Sequence, residues 1–450
     1  MSWLAGKRLQ LLLFGCGLLV YGLVAGARLA TQSPDPHFVY QADAWLHGRL
    51  DIGKKPKKGD DMAFVDAVRL DDGSEVRGRR LFTERKFMTT GGQRIDVSRV
   101  RRNLGRTYYV SFPPAPALLM LPSAVLAGPE GNDVIPTVLA AALILPLMFS
   151  TLRRLAADRL SERTVVDDLW LVSAYAFGSV FFFCAVQGRV WFTAHVVGSL
   201  MAWCYLYFSV GARRPIAAGT FLALAALSRI PLAFAFPIFA FEAWRVADGD
   251  RRRLLSSCAK FAAPVMVFIV VAVAFNLARW DDPLEFGHRF LHVRQQNNIE
   301  VHGLFSSHYL LRNLQVAFTM IPCIGESSPY LRIGGHGLAI WLTSPILLWA
   351  LWPRKRTHLH IPLWITSAII IGMPLFYQNT GWFQFGYRFA ADALPFLFLL
   401  IAMGARPLGK LARAAIVAGI VINLFGAVTF NRYQQFYRTD MPTYQLQVRC

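Results

Sequence analysis

Long apolar blocks recur along the whole chain and are separated by short polar connections. Each block has roughly 15 to 22 residues, about the length of helix that crosses a hydrocarbon core of about 30 Å. Only 16% of the 450 residues are charged, whereas a soluble domain of this size holds about a quarter. A single compact soluble core does not account for this pattern. We therefore expect an all-α polytopic membrane protein.

Basic residues indicate which ends of the predicted helices face the cytoplasm. The formal net charge is +20, and most of the basic residues lie in short loops between apolar blocks, as the positive-inside rule requires. This distribution argues against a nucleic-acid partner. Lys7 and Arg8 precede the first block, which lacks a clear cleavage site, so we expect a retained first helix with a cytoplasmic N-terminus. A bacterial inner membrane is the expected location.

The apolar blocks predict about 11 transmembrane helices, within a range of 10 to 13, in one domain over residues 1–430. The expected spans are roughly 9–27, 135–152, 169–185, 190–210, 215–228, 230–244, 261–277, 337–352, 361–376, 390–403 and 412–430. Residues 113–128 are apolar but short, and they contain Pro116 and Pro122. We expect this segment to lie in the interface or to re-enter, because a full crossing would put the basic loop after residue 152 outside.

Two long polar loops, residues 29–112 and 278–335, are expected on the extracytoplasmic face, with a C-terminal tail, residues 431–450. Within the first loop, residues 51–106 hold 15 Lys and Arg against 9 Asp and Glu. This basic insertion is suited to anionic lipid head groups or to an anionic acceptor. Alternating stretches at Ala63–Leu70 and Glu75–Phe82 predict a small β-hairpin within it. Cys323 and Cys450 are both expected outside, where a disulfide is an option.

Five segments carry a resemblance to a known enzyme superfamily. In chain order they are SPDPHFVYQADAWLHGRL (33–50), YYVSFPPAPALLMLP (108–122), GTFLALAALSRIPLAFAFP (219–237), FNLARWDDPLEFGHRF (275–290) and FGYRFAADALPFLFLL (385–400). Their order, spacing and inferred sidedness resemble the polyprenyl-phosphate-dependent glycosyltransferases of the GT-C superfamily, which include protein O-mannosyltransferases and lipid A aminoarabinose transferases. The chain departs from them in having Asp35-Pro36 where Asp-Glu is frequent, and in the basic insertion.

The resemblance implies a GT-C-like bundle and an inverting glycosyltransferase. Such an enzyme moves a sugar from a polyprenyl-phosphate carrier to a hydroxyl of a glycan, lipid or protein acceptor at the extracytoplasmic face. Polyprenyl phosphate leaves as a stable anion, so the enzyme needs a carboxylate base and cations that stabilise the departing phosphate. No metal or other cofactor is expected. The alternatives are a lipid-linked-glycan flippase or transporter, and a glycan ligase or polymerase. Neither the sugar nor the oligomeric state follows from the sequence.

Asp35 directly follows the first predicted helix and is the expected general base. Its alternative role is that of a turn residue within Ser33–Pro36. The residues expected at the donor phosphate are Arg229, Arg388, His288 and Arg289. Arg229 has snorkelling as its alternative, and Arg388 an intramembrane pair with Asp392.

Five further residues are expected at the sugar or acceptor: Asp43, Tyr40, Tyr108, Tyr109 and His195. A solvated helix face is the alternative for Asp43, and an interfacial aromatic belt is the alternative for the rings. His288 and His292 are four residues apart, but no third ligand follows at a telling spacing. We therefore expect no metal site.

Overall fold

The computed structural model describes residues 3–439 except for residues 54, 60, 292 and 294. Within that part of the chain, six helical segments are long and apolar enough to cross a membrane. They are Gly6–Ala30, Val134–Ala157, Val190–Ala212, Ile230–Ala247, Arg251–Trp280 and Lys410–Thr429. Shorter apolar helices accompany them at Pro215–Ala226, His360–Phe376 and Leu394–Met403. By length and composition, these helices support a membrane-embedded helical protein.

The α-helices are numbered in chain order. They are α1 (Trp3–Ala25), α2 (His37–Leu46), α3 (Ala115–Ala127), α4 (Val134–Ala157), α5 (Val165–Ala176), α6 (Phe181–Ala185), α7 (Val190–Ser209), α8 (Pro215–Ala226), α9 (Phe236–Ala247), α10 (Arg251–Trp280), α11 (Gln296–His302), α12 (Leu310–Phe318), α13 (Ile340–Thr343), α14 (His360–Gly372), α15 (Leu394–Met403) and α16 (Lys410–Thr429). Short 3-10 helices extend or join several of them, including Gly26–Ala30, Ile230–Ala235, His288–Phe290, Pro345–Ala350, Met373–Phe376 and Arg388–Asp392.

The predicted spans 169–185 and 337–352 are broken, and the helix expected at 261–277 is longer than expected. Residues 169–185 divide into α5 and α6, and at the break the backbones of Gly178 and Gly419 approach so closely that a side chain on Gly419 would clash. In residues 337–352 only α13 and a 3-10 helix form, because Pro345 has no N–H to continue the helix. Helix α10 begins at Arg251 rather than near residue 261, because the Asp250 carboxylate accepts the Arg253 N–H and so caps the first turn of the helix.

Polar contacts between the connections define one end of the helical bundle, here called the short-loop end. Gln10 near the start of α1 donates to Ser150 near the end of α4 at 2.9 Å. Arg213, between α7 and α8, pairs with Asp158 after α4 at 2.6 Å. The Arg354 amide, before α14, donates to the Gly404 carbonyl after α15. The basic connections predicted to be cytoplasmic therefore meet at one end.

The opposite end, here called the long-loop end, holds both predicted long loops. Helix α3 begins and ends here, because the Ala115 amide bonds to the Leu227 carbonyl after α8 at 2.9 Å, and Ser123 donates to the Asn132 carbonyl before α4. Both anchors lie at the same end of the bundle. This agrees with the expectation that residues 113–128 do not cross.

The basic insertion folds as a sheet rather than as the predicted hairpin. Its strands are β1 (Ala63–Leu70), β2 (Glu75–Arg80), β3 (Lys86–Thr89), β4 (Arg94–Asp96) and β5 (Val100–Tyr109). All neighbours are antiparallel in the order β4-β3-β2-β1-β5. The two predicted strands are present. Strands β3 and β4 are too short to show an alternation of apolar and polar residues, and charged residues and Gly105 interrupt it in β5, so these three strands were not predicted. Ala63, Val65 and Tyr109 pack against Trp280 and Phe290 of the second loop.

A second, smaller sheet is formed by two strands of the second long loop and one strand of the C-terminal segment. It contains β6 (Cys323–Ile324), β7 (Leu331–Gly334) and β8 (Tyr437–Arg438) in that order. Cys323 is disulfide-bonded. The four free cysteines of the described chain are Cys16, Cys184, Cys204 and Cys258. Cys450 and His292, which entered the predictions above, lie outside the described residues.

Candidate functional site

A central cavity of about 210 Å³ opens at the long-loop end of the bundle. Its polar lining comes from segments that are far apart in sequence: Asp61, Trp191, Arg229, His288, Tyr377 and Arg388. Three of these residues are ones that the sequence predicts at the donor phosphate. The fold therefore brings Arg229, His288 and Arg388 together in the lining of one cavity.

Arg229 lies where α8 ends and the 3-10 helix Ile230–Ala235 begins, since Pro231 prevents α8 from continuing. Its Nε donates to Asp392 Oδ2 at 3.0 Å. The other carboxylate oxygen of Asp392 is 2.7 Å from Nδ1 of His195, and both of these residues are fully buried. The carboxylate therefore fixes the Arg229 side chain against the wall of the cavity.

Arg388 is only 4% exposed and yet lines the same cavity. Its Nη1 donates to the carbonyls of Gly381 and Phe383, while Nε is buried without a partner among the described residues. Asp392 pairs with Arg229 instead, so the alternative Arg388–Asp392 pair does not form. A buried guanidinium held only by neutral carbonyls retains its full charge, which favours an anion beside it.

His288 lies in the second long loop, in the 3-10 helix that follows Gly287. Burial, together with the nearby charge of Arg229, lowers the pKa of His288 to about 4. Its imidazole is therefore neutral near pH 7 and offers an N–H or a lone pair rather than a charge. Arg289 is half exposed, pairs with Glu285 at 3.1 Å, and lines a neighbouring lateral cavity of about 650 Å³.

Asp35, the predicted general base, lies behind the cavity wall. Its carboxylate is 3.5 Å from the Arg189 Nε, and its backbone carbonyl accepts the Val190 N–H at the start of α7. Trp191, the next residue of α7, lines the central cavity, whereas Asp35 does not. Nearby, burial raises the pKa of Asp133 to about 6, although two hydrogen bonds from Ser33 oppose the shift.

Asp61 is a carboxylate of the central cavity that the sequence reasoning missed. Its Oδ2 accepts the indole N–H of Trp191 at 3.0 Å. The residue lies in a Lys- and Gly-rich stretch with no helical or strand periodicity, just before β1, and only its place in an acidic pair with Asp60 could have marked it. Among the described residues, the cavity thus contains one carboxylate together with two guanidinium groups.

The residues predicted at the sugar or acceptor are divided between the surface and the interior. Tyr40 and Asp43 of α2 line an outer cavity of about 270 Å³. Tyr108 lines a second outer cavity of about 170 Å³. His195 lies inside the bundle against Asp392, and Tyr109 is buried against Trp280 at a ring-centroid distance of 4.9 Å. The latter two side chains therefore have structural contacts and line none of these cavities.

An apolar groove of about 450 Å³ runs along the outside of the bundle between α8, α9 and α10. Its lining is almost entirely aliphatic and aromatic, for example Leu222, Phe261 and Ile269. Ile230, next to Arg229, lines this groove, the central cavity and the lateral cavity. The groove is therefore next to both cavities, and Ile230, the residue that follows Arg229, is part of all three walls.

Comparisons with protein-family models, with curated proteins and with solved structures found no match to this chain. Among the described residues, no group of three or more His, Cys, Asp or Glu side chains is arranged to hold a metal ion.

Proposed function

We propose that this chain is an inverting membrane glycosyltransferase that takes a sugar from a polyprenyl-phosphate carrier and transfers it to an acceptor hydroxyl. The observation that carries the proposal is the junction at Ile230, where an apolar groove on the outside of the bundle meets a cavity with two arginines. A lipid phosphate has the same two parts, a long apolar chain and an anionic head. The groove takes the chain, and the cavity takes the phosphate and the sugar.

The two arginines of the cavity differ in how their charges are balanced. One balanced and one unbalanced cation are suited to a phosphate that must first bind and then leave. Arg229 is already balanced by Asp392 at 3.0 Å, so it contributes direction and hydrogen bonds more than net charge. Within the described part of the chain, no carboxylate forms an ion pair with Arg388, and its Nε is buried without a hydrogen-bond partner. In a water-poor site a fixed guanidinium stabilises the charge that grows on the departing phosphate. His288 adds a neutral polar group.

The reaction is a single displacement. The acceptor oxygen forms a bond to the anomeric carbon while the bond from that carbon to the phosphate oxygen breaks. The phosphate leaves with the electron pair, and a carboxylate takes the proton of the hydroxyl. Asp61 lines this cavity directly. Asp35 does not line it: its carbonyl accepts the N–H of Val190, the residue before Trp191, and its carboxylate pairs with Arg189. Asp35 is the base that the superfamily resemblance implies, and Asp61 is the base that the cavity geometry favours.

The orientation that goes with this proposal places the short-loop end in the cytoplasm. The chain then crosses the membrane 11 times, with α5 and α6 as one crossing, α13 and its 3-10 helix as another, and α3 as a non-crossing helix. The basic short loops lie inside, as the positive-inside rule requires. The cavity lies at the extracytoplasmic face.

The experiment is a transfer assay with the purified full chain in proteoliposomes. The donors are undecaprenyl-phosphate monosaccharides bearing labelled hexoses or pentoses, and the product measured is labelled acceptor together with released undecaprenyl phosphate. Asp61→Asn and Asp35→Asn are compared, with Asp158→Asn at the short-loop end as the control. We expect Asp61→Asn to slow transfer by about 10²–10⁴-fold, as for loss of a general base. Wild-type rates in both Asp61→Asn and Asp35→Asn would overturn the proposal, as would labelled-donor flux across the membrane without transfer.

A further inference from the structure

The two outer cavities and the central cavity form one row along the first long loop. The cavity at α2 and the cavity at Tyr108 share Lys55 and Pro56 in their walls. The cavity at Tyr108 and the central cavity share Asp61. The row, here called the acceptor groove, therefore lies between the surface beside α2 and the carboxylate that faces the arginines. The donor side of the proposed reaction uses the central cavity but neither of the two outer cavities.

Aromatic rings line the acceptor groove along its length. Tyr40 contributes to the outermost part, and Phe64 and Tyr108 contribute to the middle, where their rings are 6.2 Å apart. Aromatic faces pack against the apolar faces of sugar rings, and the tyrosine hydroxyls can bond to sugar hydroxyls. This lining is suited to a chain of sugars rather than to an apolar tail.

The charges of the acceptor groove are unevenly paired. Lys57 is offset by Glu130 at 3.8 Å, and Arg106 is offset by Asp66 at 2.6 Å. Arg49 and Lys55 are both exposed, and their side chains have no hydrogen bond or ion pair within the described part of the chain. The remaining carboxylates are Asp43, whose neighbour is His47 at 3.6 Å, and Asp61 at the inner end. The cations without a carboxylate partner in the described chain, Arg49 and Lys55, therefore lie in the outer part of the groove, and the Asp61 carboxylate lies at its inner end.

We propose that the acceptor groove binds the acceptor, and that this acceptor is an anionic glycan whose chain leads one hydroxyl to Asp61. The inference rests on the proposed function and adds the substrate class to it. Arg49 and Lys55 meet carboxylate or phosphate groups of the glycan, and Tyr40 and Tyr108 meet its rings. The outer part of the acceptor groove adjoins the central cavity at Asp61, whereas the apolar groove adjoins it at Ile230. Donor and acceptor thus enter by separate routes.

The test measures glycan binding by the full-length protein in nanodiscs of uncharged lipid, by isothermal titration calorimetry. The probes are hexagalacturonate, which is anionic, and maltohexaose, which is a neutral glycan of equal length. We expect hexagalacturonate to bind at least about tenfold more tightly, with a difference that shrinks at high salt because exposed charges are screened. Equal affinity for the two glycans, or no binding of either, would overturn the inference.

Two double variants separate the acceptor groove from general attraction by a basic domain. Arg49→Gln with Lys55→Gln removes the free cations of the groove, and Arg101→Gln with Arg102→Gln removes two exposed cations of β5 that line no cavity. We expect the first pair to weaken hexagalacturonate binding by about tenfold and the second by less than about twofold. Equal losses would contradict a defined groove. All four side chains are exposed, and the melting temperature checks that each variant folds.

The same samples distinguish this inference from the proposed function. Binding of undecaprenyl phosphate is measured in parallel, and the Arg49→Gln, Lys55→Gln variant should retain it. Lipid-phosphate binding without any preference for the anionic glycan overturns the acceptor inference alone. A variant that loses binding to phosphatidylglycerol vesicles, but not to hexagalacturonate, would assign Arg49 and Lys55 to the membrane surface and overturn the inference as well.

Discussion

The two ends of the helical bundle use positive charge in different ways. At the short-loop end most of the basic side chains are exposed, and pairs such as Arg213 with Asp158 and Lys355 with Glu162 lie in water. Arg163 is the buried exception, and it donates to the Ile401 carbonyl. At the long-loop end Arg79, Arg229 and Arg388 are largely buried, and each is held by specific acceptors. Exposed pairs contribute little to stability, whereas buried cations are costly unless bound. The first set is suited to orienting the chain, and the second to building a site.

The largest effect is expected where a buried cation joins the two long loops. Arg79 of β2 is fully buried, donates to the carbonyls of Arg289 and Leu291, and lies 3.6 Å from Glu300. Replacing it by Met leaves the Glu300 carboxylate without its buried cation, which costs about 3–5 kcal/mol. We expect the Arg79→Met protein to release the sheet, seen as faster amide exchange in residues 63–109.

The matched control for Arg79 is Arg85, an exposed arginine in the turn before β3 of the same sheet. Arg85→Met should change the stability of the sheet by no more than about 0.5 kcal/mol. Equal amide-exchange rates in the Arg79→Met and Arg85→Met proteins would show that burial of the cation does not fasten the sheet.

The next effect concerns the cation proposed to meet the donor phosphate. Arg388→Gln removes the guanidinium and leaves the Arg229–Asp392 pair in place. We expect the transfer rate to fall by about 10²–10³-fold, because the charge on the departing phosphate is then less stabilised. Arg354→Gln, at the short-loop end, serves as the control and should stay within about twofold. Initial rates in proteoliposomes decide the question. A similar rate for the Arg388→Gln and Arg354→Gln proteins would remove the distinction between the two ends.

A smaller effect is expected from pH. Burial lowers the pKa of His288 to about 4, while the unfolded chain titrates near about 6.5. Between these values the unfolded chain binds a proton that the folded chain does not, so stability falls as the pH falls from about 6.5 to about 4. We expect the melting temperature of the His288→Gln protein to fall less over this range than that of the wild type. Parallel curves for the two proteins would contradict a buried neutral imidazole.

The smallest effect is expected at the short-loop end. Asp158→Asn breaks the exposed pair with Arg213, and such pairs contribute no more than about 1 kcal/mol. The melting temperature should therefore change little, and the transfer rate not at all. A loss as large as that of Arg79→Met would mean that this end, too, depends on specific ion pairs.

Hydrophobic length and charge placement made much of the fold predictable. Helices α7, α8 and α16 lie close to their expected bounds. Two prolines and the basic loop after α4 argued against a crossing by residues 113–128, and both anchors of α3 lie at one end of the bundle. The break at Pro345 was not predicted, because the apolar composition of residues 337–352 was given more weight than the proline within them, which cannot continue a helix. Strands β3 to β5 were missed because their pairing partners, rather than their own periodicity, determine them.

The candidate site was predictable where charge stood next to an apolar block. Arg229 and Arg388 were selected on that ground, and His288 on the resemblance of residues 275–290; the structure brings all three to one cavity. His195 was expected at the substrate, but its actual partner, Asp392, lies 197 positions away in the chain. Asp61 has no local pattern, and only the folded loop places it opposite the arginines. Contacts of this kind depend on tertiary packing, which a single sequence does not display.

If the central cavity and the apolar groove together hold a lipid phosphate, the protein must distinguish this lipid from its uncharged alcohol. The purified protein is titrated with undecaprenyl phosphate and with undecaprenol, and both titrations are repeated with Arg388→Gln. We expect the phosphate to bind at least about tenfold more tightly than the alcohol, and Arg388→Gln to remove this difference. Equal affinity of the wild type for the phosphate and the alcohol would contradict this expectation.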